Sequence, residues 1–153
     1  MSYVQRILQP GETVRHTAQI HWIVYWPAAL LLLLALLTLI YGEFISNQRM
    51  LIWHVIAAVF AACGLFFLVR EWFTWWGTEI AVTNLRVVYK TGVVSRQTNE
   101  MNMDKVESVQ VDQSIVGRLL DYGAVRIVGT GEGVEKLLNV ASPIELRNSI
   151  TGV

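Results

Sequence analysis

Hydrophobic positions along the chain come first in two unbroken blocks and then in short alternating runs. Residues 22–41 and 50–69 are 20 residues each and contain no Asp, Glu, Lys or Arg. A helix rises about 1.5 Å per residue, so about 20 apolar residues match a hydrocarbon core of about 30 Å. The pattern predicts two transmembrane spans. A helical hairpin buried in a soluble protein is disfavoured, because the rest of the chain is too small to cover two helices apolar on every face. A cleaved signal for the first block is disfavoured too: 21 residues precede it, its apolar run exceeds a signal core of about 7 to 15 residues, and a second span follows.

The link between the blocks, residues 42–49, is eight residues long. So short a link predicts an antiparallel hairpin with both termini on one side. Arg6, Arg15 and Arg70 lie on the terminal side, with Arg86 and Lys90 a little farther along, against Arg49 on the loop side. This asymmetry predicts cytoplasmic termini. Trp22, Tyr25 and Trp26 open the first span, and Trp72, Phe73, Trp75 and Trp76 follow the second. Both groups fall at one interface, where such rings sit at headgroup level.

From Thr78 the period becomes two. Residues 78–83 alternate, 86–90 and 93–98 flank a Thr91-Gly92 turn, and 108–113 alternate again. These predict strands, the middle two as a hairpin. Residues 115–121 read as a short helical connection, and strands at 124–128 and 134–140 bracket the glycine-rich turn 129–133. Ser142-Pro143-Ile144-Glu145 carries a serine N-cap, a first-turn proline and a glutamate three residues after the cap, predicting a C-terminal helix. Upstream of the spans, residues 3–8, a Gln9-Pro10-Gly11-Glu12 turn and alternation through 14–20 suggest one or two short strands that pack on the distal domain or the membrane surface. The expected division is therefore an N-terminal cytoplasmic segment at 1–21, a two-helix transmembrane hairpin at 22–70, and a small β domain at 71–153. That domain is a curved sheet or half-open barrel of five or six strands in meander order, with one short C-terminal helix.

Several spaced motifs carry a resemblance. Glu79-Ile80-Ala81-Val82-Thr83-Asn84-Leu85-Arg86-Val87-Val88, Lys90-Thr91-Gly92-Val93-Val94-Ser95-Arg96, Asp104-Lys105-Val106-Glu107-Ser108-Val109 and Gly117-Arg118-Leu119-Leu120-Asp121-Tyr122-Gly123 follow one another in order. With the two-span hairpin and the upstream Leu8-Gln9-Pro10-Gly11-Glu12, the chain resembles the bacterial membrane-anchored PH-like domain family. The resemblance implies a PH-like fold in a bacterial inner-membrane protein. It implies no reaction and no cofactor.

Composition narrows the chemistry. Twelve basic residues balance twelve acidic ones overall, and residues 71–153 hold eight basic against ten acidic side chains. No nucleic-acid signature results. The same stretch contains neither His nor Cys, which removes a Cys-His pair, a complete Ser-His-Asp triad and the usual zinc ligands from it. Asp104, Glu107, Asp112 and Asp121 occupy turn-like or alternating positions that read as solvated faces. The 129–133 loop returns to a strand and carries Glu132, unlike a phosphate loop that opens a helix. Cys63, the single cysteine, lies in the second span. His54 lies about one turn inside that span beside Trp53 and reads as an interfacial anchor rather than a proton relay.

The expected function is non-enzymatic: a membrane-anchored PH-like module for assembly or scaffolding, binding itself or another membrane protein as well as lipids. Trp22, Trp26, Trp72, Trp75 and Trp76 are the expected interface anchors, and Ala57, Ala61 and Gly64 a helix-packing face for partner helices or for the hairpin itself. The alternatives are a lipid-headgroup module, with Arg86, Lys90 and Arg96 as a weak basic patch, and a subunit of an oligomeric transporter or channel. Neither span shows the polar stripe that a pore requires.

Overall fold

The computed structural model describes residues 3–44, 50–93, 95–130 and 133–152, apart from the side chain of Tyr3. The chain forms two compact units: the N-terminal residues up to His21 together with those from Thr74 onward, and the stretch Trp22–Phe73.

The second unit is a pair of helices. A 3-10 turn, Trp22–Tyr25, leads into α2 (Trp26–Phe44), and α3 runs from Met50 to Gly77. Both are long and apolar enough to cross a membrane. At 28 residues α3 would be about 42 Å long, more than a hydrocarbon core needs, so its last two turns pass the predicted end at residue 69. The face read from the sequence turns inward in the hairpin: Ala57 is buried, and a Cβ on Gly64 would stand 3.0 Å from Leu32. Ala61 on the same face is half-buried. His54 has a partner that the sequence reading did not give it, because α2 continues past residue 41 and carries Glu43, whose Oε1 lies 3.4 Å from His54 Nε2.

Among the described residues the first unit holds seven strands. β1 (Val14–Ala18), β2 (Glu79–Thr83), β3 (Arg86–Thr91) and β4 (Gln97–Asn102) form one antiparallel sheet in that order. A second sheet takes β5 (Val106–Asp112), β6 (Tyr122–Gly129) and β7 (Val134–Ala141), with α4 (Ile115–Leu119) between the first two. α5 (Pro143–Thr151) follows. Two sheets and a C-terminal helix are the PH-like arrangement that the resemblance implied.

The strand expected before the spans is present as β1, and of the two surfaces open to it the distal domain is the one it packs on: it pairs with β2, Ala18 opposite Ile80. The hairpin is thus an insertion between the first two strands of the barrel. Ile20 bridges Val140, His21 N–H donates to the Asn139 carbonyl at 2.7 Å, and Ala141 N–H donates to Gln19 at 2.9 Å. These bonds close the first sheet onto the second. At the opposite seam, β4 pairs with β3 and β5 with β6, and among the described residues neither has a second strand partner. The barrel is half open.

Burial follows the alternation. Ile80, Val82, Val87, Val125, Ile127, Leu137 and Val140 form the core, with Leu146 and Ile150 of α5 closing it. The outer face of the first sheet is covered as well. Residues 3–7, expected as strand, form α1 (Tyr3–Ile7), and Val4, Ile7 and Leu8 pack on Ala81 and Val88. β2 is therefore buried on both faces, which a half-exposed alternating strand would not be.

Three local expectations are corrected. β4 begins at Gln97 rather than at 93 and runs to Asn102. Ser142 does not cap α5 with its side chain: it sits in the left-handed region at φ 47°, and its hydroxyl donates to Asp121 Oδ2 at 2.6 Å. The tip of the glycine-rich turn, Gly131 and Glu132, and the interhelical residues 45–49 lie outside the described residues.

Candidate functional site

A buried polar cluster in the domain joins two motifs that are 71 to 74 residues apart in sequence. The turn after α1 folds back on itself, Glu12 N–H donating to the Gln9 carbonyl at 2.9 Å, and this aims the Glu12 carboxylate at the β2–β3 turn. Arg86 grips that carboxylate side-on, Nε to Oε1 at 3.0 Å and Nη2 to Oε2 at 2.9 Å. Gln9 N–H donates to Oε2 and the Thr83 hydroxyl to Oε1, both at 2.8 Å. The planar fork of a guanidinium suits this two-point contact, which a lysine could not reproduce. Arg86 also donates to the Ile7 carbonyl at 2.8 Å and to Glu100 on β4 at 2.6 Å. Asn84 completes the join, accepting from Thr13 N–H at 2.8 Å.

Burial pushes the Glu12 carboxyl up, but the Gln9 amide, Arg86 and Thr83 outweigh it and hold the group below its ordinary value. Arg86 is held above its own, by the Glu12 bond first, against burial. Both groups stay charged across the physiological range, and the join works as a latch that fixes the N-terminal segment to the barrel.

This latch overturns one candidate. Arg86 is not part of a free basic patch: its side chain is 12% exposed and committed to two carboxylates. Lys90 lies 3.9 Å from Glu79, and Arg96 is exposed near the start of β4. The expected headgroup patch is therefore not assembled from these three residues.

Where the chain passes into the spans, the aromatic residues have different tasks. The Trp75 indole N–H donates to the Ile20 carbonyl at 2.9 Å, tying the end of α3 to the residues just before the first span. Trp76 and Trp75 line an open cavity of about 370 Å³ with Val4, Thr17, Gln19 and Glu79. A carboxylate in that wall opposes anionic headgroups. Trp22, Trp26 and Trp72 are exposed, as rings at a membrane interface would be.

A family model described as the bacterial PH domain matches residues 20–152. The chain belongs to that family. No curated protein and no solved structure matches it. The match takes in both long helices and all strands of the PH domain except β1, and it leaves Glu12 outside.

The remaining candidates for chemistry stay apart. Among the described residues no three His, Cys, Asp or Glu side chains are grouped as metal ligands. The PH domain instead presents backbone: β4 and β5 each expose one edge along the open seam, with Asn99 and Ser108 exposed on them. Reading the sequence missed the Glu12–Arg86 latch. Both motifs of the latch were visible as family signatures, but nothing in their spacing says that they touch.

Proposed function

We propose that this bacterial PH domain protein is a non-enzymatic module of the bacterial inner membrane that assembles with itself or with another membrane protein. Its two helices anchor it as a multi-pass protein, with both termini and the β domain cytoplasmic. The open β4–β5 seam is the observation that carries this reading. An unpaired edge offers donors and acceptors that an incoming strand can satisfy, which is the physics of β-augmentation. PH-like domains are generally non-catalytic, and the chemistry present here is that of packing and backbone pairing.

A photo-crosslinking residue placed at Asn99 or Ser108 in native membranes tests this reading. Adducts heavier than the 17.3 kDa chain are expected at both positions. Adducts from Ala58, exposed on the second span, with none from the seam would move assembly to the helices. A chain that gives no adduct at any of the three positions would overturn assembly and return the headgroup reading to first place.

Topology is tested separately. With Cys63→Ala as background, Ser46→Cys is expected to react with an impermeant maleimide in intact cells and Ser149→Cys is not. The opposite labelling would place the domain outside.

A further inference from the structure

The five-residue helix α4 carries two strongly exposed apolar side chains, Ile115 at 89% and Leu119 at 84%, with Val116 between them at 54%. A helix this short normally turns such residues inward. Here the inward position is Gly117, where a Cβ would stand 2.6 Å from the Tyr122 carbonyl. The glycine lets α4 lie flat on the start of β6, while Ser114 Oγ accepts the Gly117 N–H at 3.0 Å. Seated in this way, α4 turns its apolar arc outward.

The position of that arc is informative. The Tyr122 ring stacks on His21 at 5.2 Å, and His21 immediately precedes the first long apolar helix, which begins at Trp22. Leu119 is three residues from Tyr122, a path of at most about 11 Å at about 3.6 Å per residue. Each headgroup layer of a bilayer is roughly 5–8 Å deep. A second exposed residue, Leu138 at 55%, neighbours Asn139, whose carbonyl accepts the His21 N–H. Ile115, Val116, Leu119 and Leu138, unlike the exposed Val134 and Leu85, thus lie at the end of the domain that carries His21, where the chain enters its membrane helices.

We propose that α4 is a membrane-contacting wedge: Ile115, Val116 and Leu119 insert into the interface of the bilayer that holds the spans, and Leu138 rests beside them. Arg118 lies on the same outer arc, and with Arg147 it lines a shallow depression that also contains Asp112. Two guanidinium groups beside an apolar wedge match an anionic lipid surface better than an apolar protein partner. The wedge sets the attitude of the PH domain on the membrane, so that the β4–β5 seam is held at a fixed tilt for its partner. It needs no lipid-specific pocket, and it leaves the seam itself untouched.

Spin-label accessibility measures this directly. In a Cys63→Ala full-length background, Ile115→Cys, Leu119→Cys and, as the aqueous control, Leu85→Cys are nitroxide-labelled. The proteins are reconstituted into phosphatidylcholine–phosphatidylglycerol vesicles at less than one copy per vesicle. At positions 115 and 119 accessibility to a nickel chelate is expected to be several-fold lower than at 85, with accessibility to oxygen retained. Chelate accessibility equal to that at 85 overturns the wedge. So does protection that appears only at many copies per vesicle, which would identify a second protein as the occupant, or loss of both accessibilities, which would mean packing against the chain itself.

Discussion

Replacing Arg86 by alanine is expected to loosen the whole N-terminal segment from the barrel and to destabilise the domain by about 3 kcal/mol. The cost arises because Glu12, whose side chain is fully covered, keeps its charge and loses its bidentate partner, and the Ile7 carbonyl loses its donor. Breaking a buried pair from one side costs about 3–5 kcal/mol. The latch lies near the domain surface, where partial solvation favours the low end. Removing both charges together, as in Glu12→Gln with Arg86→Met, should cost less than Arg86→Ala alone, since no unpaired ion remains. Pulse proteolysis across a urea series in detergent reads both variants, and cleavage should appear first within residues 3–13. An Arg86→Ala protein as resistant as the parent would show that the latch contributes nothing to stability.

The same carboxylate sets an acid limit. The Glu12 carboxyl is depressed in the fold, so its contribution is fully present above the ordinary value of 4.5 and is lost as pH falls through the lower folded value. The parent protein should therefore lose more stability below pH 4.5 than Glu12→Gln does.

The largest effect is expected from Val125→Asp. Val125 has no exposed surface and sits on the central strand of the second sheet, paired with Val111 on one side and Leu137 on the other. A carboxylate there has no partner and no water, and the cost, several kcal/mol on top of the lost apolar burial, is comparable to the whole stability of a domain of about 5–15 kcal/mol. The β domain should become protease-sensitive throughout while the two long apolar helices remain inserted. Val109→Asp is the informative comparison. From sequence alone Val109 and Val111 are equivalent to any core position. In the fold they flank the open seam and remain half-exposed, so an aspartate can reach water. Protease resistance in Val109→Asp should fall far less. Equal sensitivity of the two variants would mean that the seam is covered.

That contrast shows what periodicity reports. Alternation at 106–112 and 122–129 marks which side chains share a face, because a strand has a period of two whatever surrounds it. How deeply that face is buried depends on whether a neighbouring strand is present, and the absence of a β4–β5 pairing is a property of the assembled barrel. Segment 3–8 is the opposite failure. Its apolar residues were legible, but a run of six cannot distinguish strand from helix by pattern alone. The docking of Val4 and Ile7 on Ala81 and Val88 decided in favour of helix.

By itself the sequence determined the two long apolar helices, the change to a two-residue period after Thr78, the C-terminal helix and the family, since each rests on local hydrophobicity or on motifs contiguous in the chain. Tertiary structure alone decided that β1 belongs to the barrel and that the hairpin is inserted behind it. It also decided that Glu12 and Arg86 hold each other, that Ala57 and Gly64 serve the hairpin, and that α4 faces outward. The physical reason is common to all of these. Each is a contact between segments separated by tens of residues, or one fixed by a backbone approach as close as that at Gly117, and such contacts leave no period in the chain that makes them.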